Sequence, residues 1–412
     1  MEGWDATDDG RPSPELKRRW MRFGRSGASL VWCEATAVAP EGRANPNQLT
    51  ISEATIDDIG TLRREMVAAR AADFDGGRLI AGLQLTHSGR WSRPRGAQAP
   101  LTAYQQTQLD ERVNATAESV LSDDQLDELV GRYIEAAILA ADAGFDFVDI
   151  KHCHGYLLHE LLSARSRPGR YGGSFENRTR FLRTVVEGIN AARPELTIAV
   201  RLSAIDPGPF IEDEDGIGYP QPLDSDEIPF GPGNGDPLGE THRFLDLCTE
   251  LGVAMVCITV GSPYYNPHAT RPAYHPALDG YLPPRDPLAD VAVHMATTAA
   301  LAEAHPELTM IGSGYSYLQE VLPNVAQYHV RTGQVGMVGL GRMALSYPTM
   351  PADILAGEPM DTRLMCRTFS DCTTGPRIGE KSGCYPLDDY YKSSDARIAI
   401  AAAKKEKRSR RT

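Results

Sequence analysis

The run "FDFVDIKHCHGYLLHELLSARSRPGRYGGSFENRTRF", residues 145–181, decides the fold. It opens as an apolar strand and stops at Lys151-His152-Cys153-His154-Gly155-Tyr156, five polar or reactive groups and a glycine. A strand that only built a core would not end this way. Further on, "YGGSFENR" reads as a helix start, with Ser174 as N-cap and Glu176 in the first turn.

Outward from this run, apolar stretches of strand length alternate with longer amphipathic ones. The other strand candidates are "ASLVWCEA" from 28, "RLIAGLQL" from 78, "LTIAVRLS" from 196, "AMVCITV" from 254, "LTMIGSG" from 308 and "VGMVGLG" from 335. Helical patterns span 124–142, 175–192, 239–251 and 288–304. The strands are apolar throughout, as when helices cover both faces of a parallel sheet. Polar or reactive residues and glycines gather at the strands' C-terminal ends: Glu34, Gln84 with His87, Lys151 to Tyr156, Arg201, Gly261, Gly314, and Gly339 to Arg342. A barrel brings such ends to one face, whereas an open sheet spreads them along an edge. The pattern therefore predicts an α/β barrel. Its count is seven strands, not eight, because the chain opens "MEGWDATDDGRPSPELKRRWMRFGRSG", a loop and then a helix. The expectation is a first strand lying upstream of Met1; the alternative is an incomplete barrel with two exposed edges.

The 412 residues suffice for one large domain or two medium ones. The expected division is a barrel over 1–357, an extension over 358–395 and a flexible basic tail over 396–412. A net charge of −13 disfavours nucleic acid and anionic membranes as partners. The tail "KKEKRSRRT" is the basic exception. No run approaches a membrane span in length, and no signal peptide is seen. The seven cysteines are scattered rather than framed as disulfides, which points to a reducing cytoplasm.

Six fragments in order resemble the Old Yellow Enzyme family, in its NADH:flavin oxidoreductase and 2,4-dienoyl-CoA reductase branch. They are "EATAVAPEGRANPNQL", "LQLTHSGR", the opening run, "VRLSA", "IGSGYS" and "VGLGRMALSYP". The resemblance implies a (β/α)8 TIM barrel holding FMN at its C-terminal face, with the first strand missing here. It also implies NAD(P)H as reductant and a small-molecule substrate, and leaves a homo-oligomer open. By position, Ala35 would offer backbone to the flavin, Gln84 would bond its pyrimidine edge and Arg201 would stand beside N1 and O2. Gly314, Gly341 and Arg342 would hold the phosphate. Taken singly, these residues are more often turns or satisfied polar groups; their joint order carries the resemblance.

In that family the strand ends in His-x-x-His or His-x-x-Asn before Gly-Tyr, and the pair holds the substrate oxygen. Here the aligned pair is Lys151 and His154, a departure, with His152 beside it. Hydride from flavin N5 would attack an electron-poor C=C, of enone or enoyl-thioester type, while donors stabilise charge on the conjugated oxygen. Lys151 and His154 are the expected catalytic pair, with Tyr156 as proton donor. The alternatives are a His152–His154 pair, or Lys151 as an ion-pair partner of Glu34. His87 and His152 are expected near the substrate, with Arg90 and Trp91 on the loop at its mouth. An amine dehydrogenase or demethylase, or a lyase using Lys151 as a Schiff base, is the competing function. The related iron–sulfur pattern, Cys-x2-Cys-x3-Cys-x11-Cys, falls here on Met365, Thr368, Cys372 and Cys384, with Cys366 one residue off. A [4Fe–4S] cube takes four thiolates, so no cluster and no metal are expected. The acidic, Pro- and Gly-rich stretch 204–238 is expected as a lid or specificity loop.

Overall fold

The computed structural model describes residues 3–74, 77–223 and 228–411. In chain order the strands are β1 (Leu30–Ala37), β2 (Ile80–Thr86), β3 (Phe147–Ile150), β4 (Thr197–Ile205), β5 (Phe210–Glu212), β6 (Gly218–Pro220), β7 (Met255–Val260), β8 (Thr309–Gly312) and β9 (Met337–Val338). Seven of them form one parallel sheet in the order β1-β2-β3-β4-β7-β8-β9, and β5 and β6 make a separate antiparallel hairpin. Helices follow the sheet strands: Ile56–Asp73, Asp123–Asp142, Arg180–Ala192, Gly239–Glu250, Pro287–Ala304, Leu322–Arg331 and Arg342–Ser346. The sheet is curled and wrapped by these helices, a TIM-barrel-like architecture. Among the described residues no further strand flanks β9. The end of β1 is flanked by a loop, where Ala37 exchanges backbone hydrogen bonds with Leu49 and Ile51 at 2.9 and 3.0 Å.

Both faces of the sheet are buried, which explains the unbroken apolar strands. Leu83, Leu85, Val148, Ile150, Val200, Leu202, Val256 and Ile258 belong to the main core. Phe147, Ala199, Met255, Cys257 and Ile311 form a second cluster, with Leu30, Trp32 and Met337 packed against it. Phe147 stands opposite Gly82 in the β2–β3 register, and a Cβ on that glycine would lie 2.1 Å from the ring. Helix Asp123–Asp142 starts where the sequence allows it: Ser122 and Gln125 close a reciprocal capping box, and two aspartates occupy the first turn.

The chain's two ends meet. Arg18 donates to both oxygens of Asp388 at 2.8 Å, and the Trp4 N–H donates to Ser382 Oγ at 3.0 Å. The basic tail closes helix Asp395–Arg411. Ile400 is buried beside Tyr385 and Tyr391, and Lys404 Nζ donates to the Phe369 carbonyl at 2.8 Å. The anchoring apolar residue lies upstream of the basic run, so tail composition alone did not show it. Within 204–238 the chain forms the β5–β6 hairpin; residues 224–227 of that stretch lie outside the described residues. No helix among the described residues is long and apolar enough to cross a membrane.

Gly82→Ala should therefore overpack the barrel interior. The expected loss is about 1–3 kcal/mol of stability, read by urea denaturation and partly recovered by adding Phe147→Leu. Unchanged stability in the single variant would show that the ring has room to move.

Candidate functional site

β3 ends at Ile150, but its backbone pairing runs on to His152, whose N–H donates to the Arg201 carbonyl at 2.8 Å. The chain then reverses within two residues. His154 and Gly155 take φ values of +68° and +72°, and Tyr156 caps the helix Leu157–Ser163. A side chain in that left-handed region costs about 1–3 kcal/mol and persists only when its surroundings hold it. Two serines do so here. Ser203 Oγ accepts the His154 N–H at 3.0 Å and donates to the Gly261 carbonyl at 2.8 Å. Ser262 Oγ donates to the His154 carbonyl at 2.7 Å. Gly155 can be nothing larger, since a Cβ would meet the Tyr265 ring at 2.7 Å and Ser262 Oγ at 3.1 Å.

Around this turn the expected catalytic residues assemble. Lys151 Nζ lies 3.5 Å from the centre of the Tyr156 ring, a cation–π contact. The Tyr156 hydroxyl is 2.7 Å from that of Tyr264. Tyr264 stacks on Trp91 with centroids 4.5 Å apart and planes 5° from parallel, and the Trp91 indole donates to the Gly155 carbonyl at 3.0 Å. Tyr264 also lines a cavity of about 530 Å³ with Arg112, Phe210 and Tyr281, bordered by the β5–β6 hairpin. Burial, then the charges of Arg201 and Lys151, hold the His154 imidazole well below its ordinary pKa, hence neutral. Glu34 is not the partner of Lys151. Its carboxylate accepts from Arg19 at 2.6 Å and from the Trp20 indole at 2.9 Å, on the helix side of β1.

Beneath them, the barrel carries a buried carboxylate that sequence reasoning did not single out. Asp149 Oδ2 accepts from the Trp32 indole at 2.8 Å and from Gln84 Nε2, and Oδ1 accepts from the Arg201 backbone N–H at 2.7 Å. Burial pushes this carboxyl's pKa up, while Gln84 and Trp32 draw it down; the net direction is up. Burial opposes the charge on Arg201, yet its neighbours Cys257, Cys153 and Asp149 leave its pKa raised. Gln84 Oε1, His154 Nε2 and Arg201 Nε are buried and meet no partner among the described residues. An unmade hydrogen bond of this kind costs about 1–3 kcal/mol, so three such atoms at the ends of adjacent strands mark where a ligand's polar atoms are wanted. Gln84's acceptor and Arg201's donor fit the pyrimidine edge of a flavin, which offers one N–H and two carbonyls.

The remaining expected residues divide. At the β8 and β9 ends, Gly314 has a φ of +93°, Gly341 caps the helix Arg342–Ser346, and Arg342 donates to the Pro272 carbonyl at 2.7 Å. The Ala35 carbonyl accepts from Gln48 Nε2 at 2.9 Å. His87 and His152, expected near the substrate, face elsewhere. His152 turns to the helix layer, its ring 5.4 Å from that of Phe244 and its Nδ1 2.8 Å from the Ile150 carbonyl. His87 is buried against Gly42, where a Cβ would lie 2.2 Å from the imidazole. Arg90 is fully buried on Glu160, Asp110 and the Tyr104 carbonyl, so it braces the loop rather than lining a mouth. Among the described residues no three His, Cys, Asp or Glu are grouped to hold a metal ion.

Comparison with known proteins agrees with this fold. Residues 5–214 match the NADH:flavin oxidoreductase / NADH oxidase family. The NADPH dehydrogenase of Bacillus pumilus (strain SAFR-032) is 34% identical over 201 residues, covering 48% of this chain and 55% of that protein. That of Bacillus subtilis (strain 168) is 33% identical over 201 residues, with the same shares of 48% and 55%. The chain thus spans about half the length of the curated relatives it matches. Among solved structures, a 2-naphthoyl-CoA reductase in complex with 2-naphthoyl-CoA superposes with a TM-score of 0.70 at 17% identity, over 95% of this chain and 54% of that one. The old yellow enzyme homologue from Zymomonas mobilis gives 0.59 at 21% identity, over 88% of each. At these identities the structural likeness is one of fold.

The buried histidines set a pH dependence of stability. Burial lowers the pKa of His87 to about 3, and those of His152 and His294 to about 4. In the unfolded chain each binds a proton below about 6.5; in the folded chain each stays neutral until the lowered value. Unfolding therefore takes up protons, and stability falls as pH drops from about 6.5 towards 4. Asp5, raised by burial to about 6, acts oppositely over the lower part of that window. Asp149 and Glu160 are raised as well, but His154, His159, His268 and His329 are also lowered, so seven depressed imidazoles stand against three raised carboxyls. Urea midpoints should be level between pH 7 and 8 and decline below about 6.5; a midpoint that rises on acidification contradicts this account.

Proposed function

Because the chain belongs to the NADH:flavin oxidoreductase / NADH oxidase family, we propose that it binds FMN at the barrel's C-terminal face and reduces an electron-poor C=C bond with electrons from NAD(P)H. The observation that carries this reading is the trio of buried atoms on Gln84, His154 and Arg201 that meet no partner among the described residues. Gln84 and Arg201 would hold the pyrimidine edge, and Gly314, Gly341 and Arg342 the phosphate, at strand ends where such barrels bind phosphate. When bound, FMN supplies a two-electron carrier that accepts hydride from NAD(P)H and delivers it to carbon.

The chain's own residues do the rest. Lys151 and His154 hold the acceptor's oxygen, an ammonium and a neutral imidazole facing the negative charge that grows there. Tyr156 gives its phenolic proton to the carbon beside the one reduced, and Tyr264, 2.7 Å away, fixes the direction of that hydroxyl. The acceptor class is an enone or an enoyl thioester, entering past Tyr264 from the hairpin-bordered cavity. A Schiff-base lyase is disfavoured, because the ring face 3.5 Å from Lys151 Nζ stabilises the ammonium, which is not a nucleophile.

Purified protein reconstituted with FMN should be yellow, bleach anaerobically with NADH or NADPH, and recover its colour on adding an enone or enoyl thioester. Protein that stays colourless ends the proposal. Tyr156→Phe should slow the acceptor-dependent recovery by about 10²–10⁴-fold and leave bleaching by NAD(P)H at its original rate. His154→Ala should slow recovery by about 10²–10³-fold. Stopped-flow absorbance separates the two half-reactions; equal slowing of both would deny Tyr156 the proton-donor role.

A further inference from the structure

We infer that Asp149 is a positioning residue that locks the Gln84 amide with its oxygen turned outward, so that the pocket demands a hydrogen-bond donor, the imide N3–H of a flavin, at that point. The inference rests on the FMN reading and goes beyond it, to a residue one layer below the ligand.

Three strands converge on this carboxylate. Asp149 is fully buried on β3, directly opposite Gln84 of β2 in the sheet register. Trp32 of β1 and Arg201 of β4 each give it an N–H, at 2.8 and 2.7 Å, one on each oxygen. An indole N–H and a backbone N–H are donors only, so both contacts want an acceptor-only carboxylate. That leaves one way to seat Gln84. Its amide has a donor end and an acceptor end, and only the donor end bonds a carboxylate. Nε2 is in that contact, and Oε1 is left buried without a partner among the described residues. The orientation of a glutamine amide is ordinarily ambiguous; here the chemistry of its neighbour fixes it. The same carboxylate takes the Arg201 N–H where the backbone pairing of β3 and β4 has left Asp149 and not yet reached His152. One side chain thus sets the two residues expected on either side of the pyrimidine ring.

The test is FMN binding by the full chain, followed by quenching of flavin fluorescence, with Asp149→Asn, Gln84→Ala and the double variant. If Asp149 acts through Gln84, each single variant weakens FMN binding about tenfold or more, and the double variant is no more than about twofold worse than Gln84→Ala. The N3–H proton of bound 15N-labelled FMN should move towards its free position in Asp149→Asn. Losses that multiply, or an unmoved N3–H signal, overturn the inference. Gln84→Glu decides the matter should Asp149→Asn fail to fold. The carboxyl group introduced by that substitution can replace the amide while protonated, with its O–H towards Asp149 and its C=O outward, but the ionised form cannot. The FMN affinity of Gln84→Glu should match wild type at low pH and fall by up to tenfold per pH unit once that proton is lost. Equal affinity at pH 6 and pH 9 sinks the idea. Wild-type protein that binds no FMN defeats the cofactor reading itself; wild type that binds FMN while these variants behave independently defeats only the role of Asp149.

Discussion

The left-handed turn at His154 and Gly155 is the constraint on which the site depends. It costs backbone energy, and the hydroxyls of Ser203 and Ser262 offset that cost by tying the end of β3 to β4 and β7. Without the turn, strand alternation would carry His154 to the helix side together with His152. With it, the side chain swings back towards Lys151, and Tyr156 is delivered to the start of a helix facing Tyr264. Strain at this point is what places an imidazole, an ammonium and a phenol within one short segment.

That reversal also shows what was legible in the sequence. All seven sheet strands were readable, because apolar runs buried on both faces have few alternatives. The helices read at 124–142 and 288–304 are observed as Asp123–Asp142 and Pro287–Ala304. The pair Lys151 and His154 followed from motif spacing. The placement of His152 did not, because two residues apart means one face only while the backbone stays extended, and His154 leaves the extended region. Asp149 was visible as an acid inside an apolar strand, yet its partners lie 117, 65 and 52 residues away in the chain. Tyr264 sits in "SPYYNP", where nothing local says which tyrosine meets Tyr156. The β5–β6 hairpin is too short and too rich in Pro and Gly to announce itself. Part of its hold is long-range: the Phe210 N–H donates to the Tyr265 carbonyl at 2.8 Å.

Buried arginines fix the loops that rim the site. Arg90, in the loop after β2, reaches Glu160 in the helix after β3 and the Tyr104 carbonyl beyond. Arg178 reaches Glu240 at 2.6 Å and so joins the chain after β3 to the helix after β4. Arg19 bridges Asp5 and Glu34 at 2.7 and 2.6 Å, seating the first helix on β1. Such pairs add little net stability once desolvation is counted, but removing one partner leaves a stranded charge. Their effect is positional. The rim on the β1–β4 side is held rigid, and the cavity opens instead beside the hairpin.

Lysine at position 151, where the family resemblance implies histidine, changes the electrostatics at the end of β3. A histidine there would share a buried mouth with Arg201 and His154, and burial already strips His154 of its proton. A second imidazole in those surroundings would lose its charge for the same reason. An ammonium has a much higher intrinsic pKa, and the face of Tyr156 adds a compensating contact at 3.5 Å. The Tyr156 ring face therefore favours the charged form of Lys151, beside a neutral imidazole. On the proposed function, that combination would suit an acceptor whose oxygen gains negative charge as its double bond is reduced, as a thioester oxygen does, more than a neutral pair of imidazoles would.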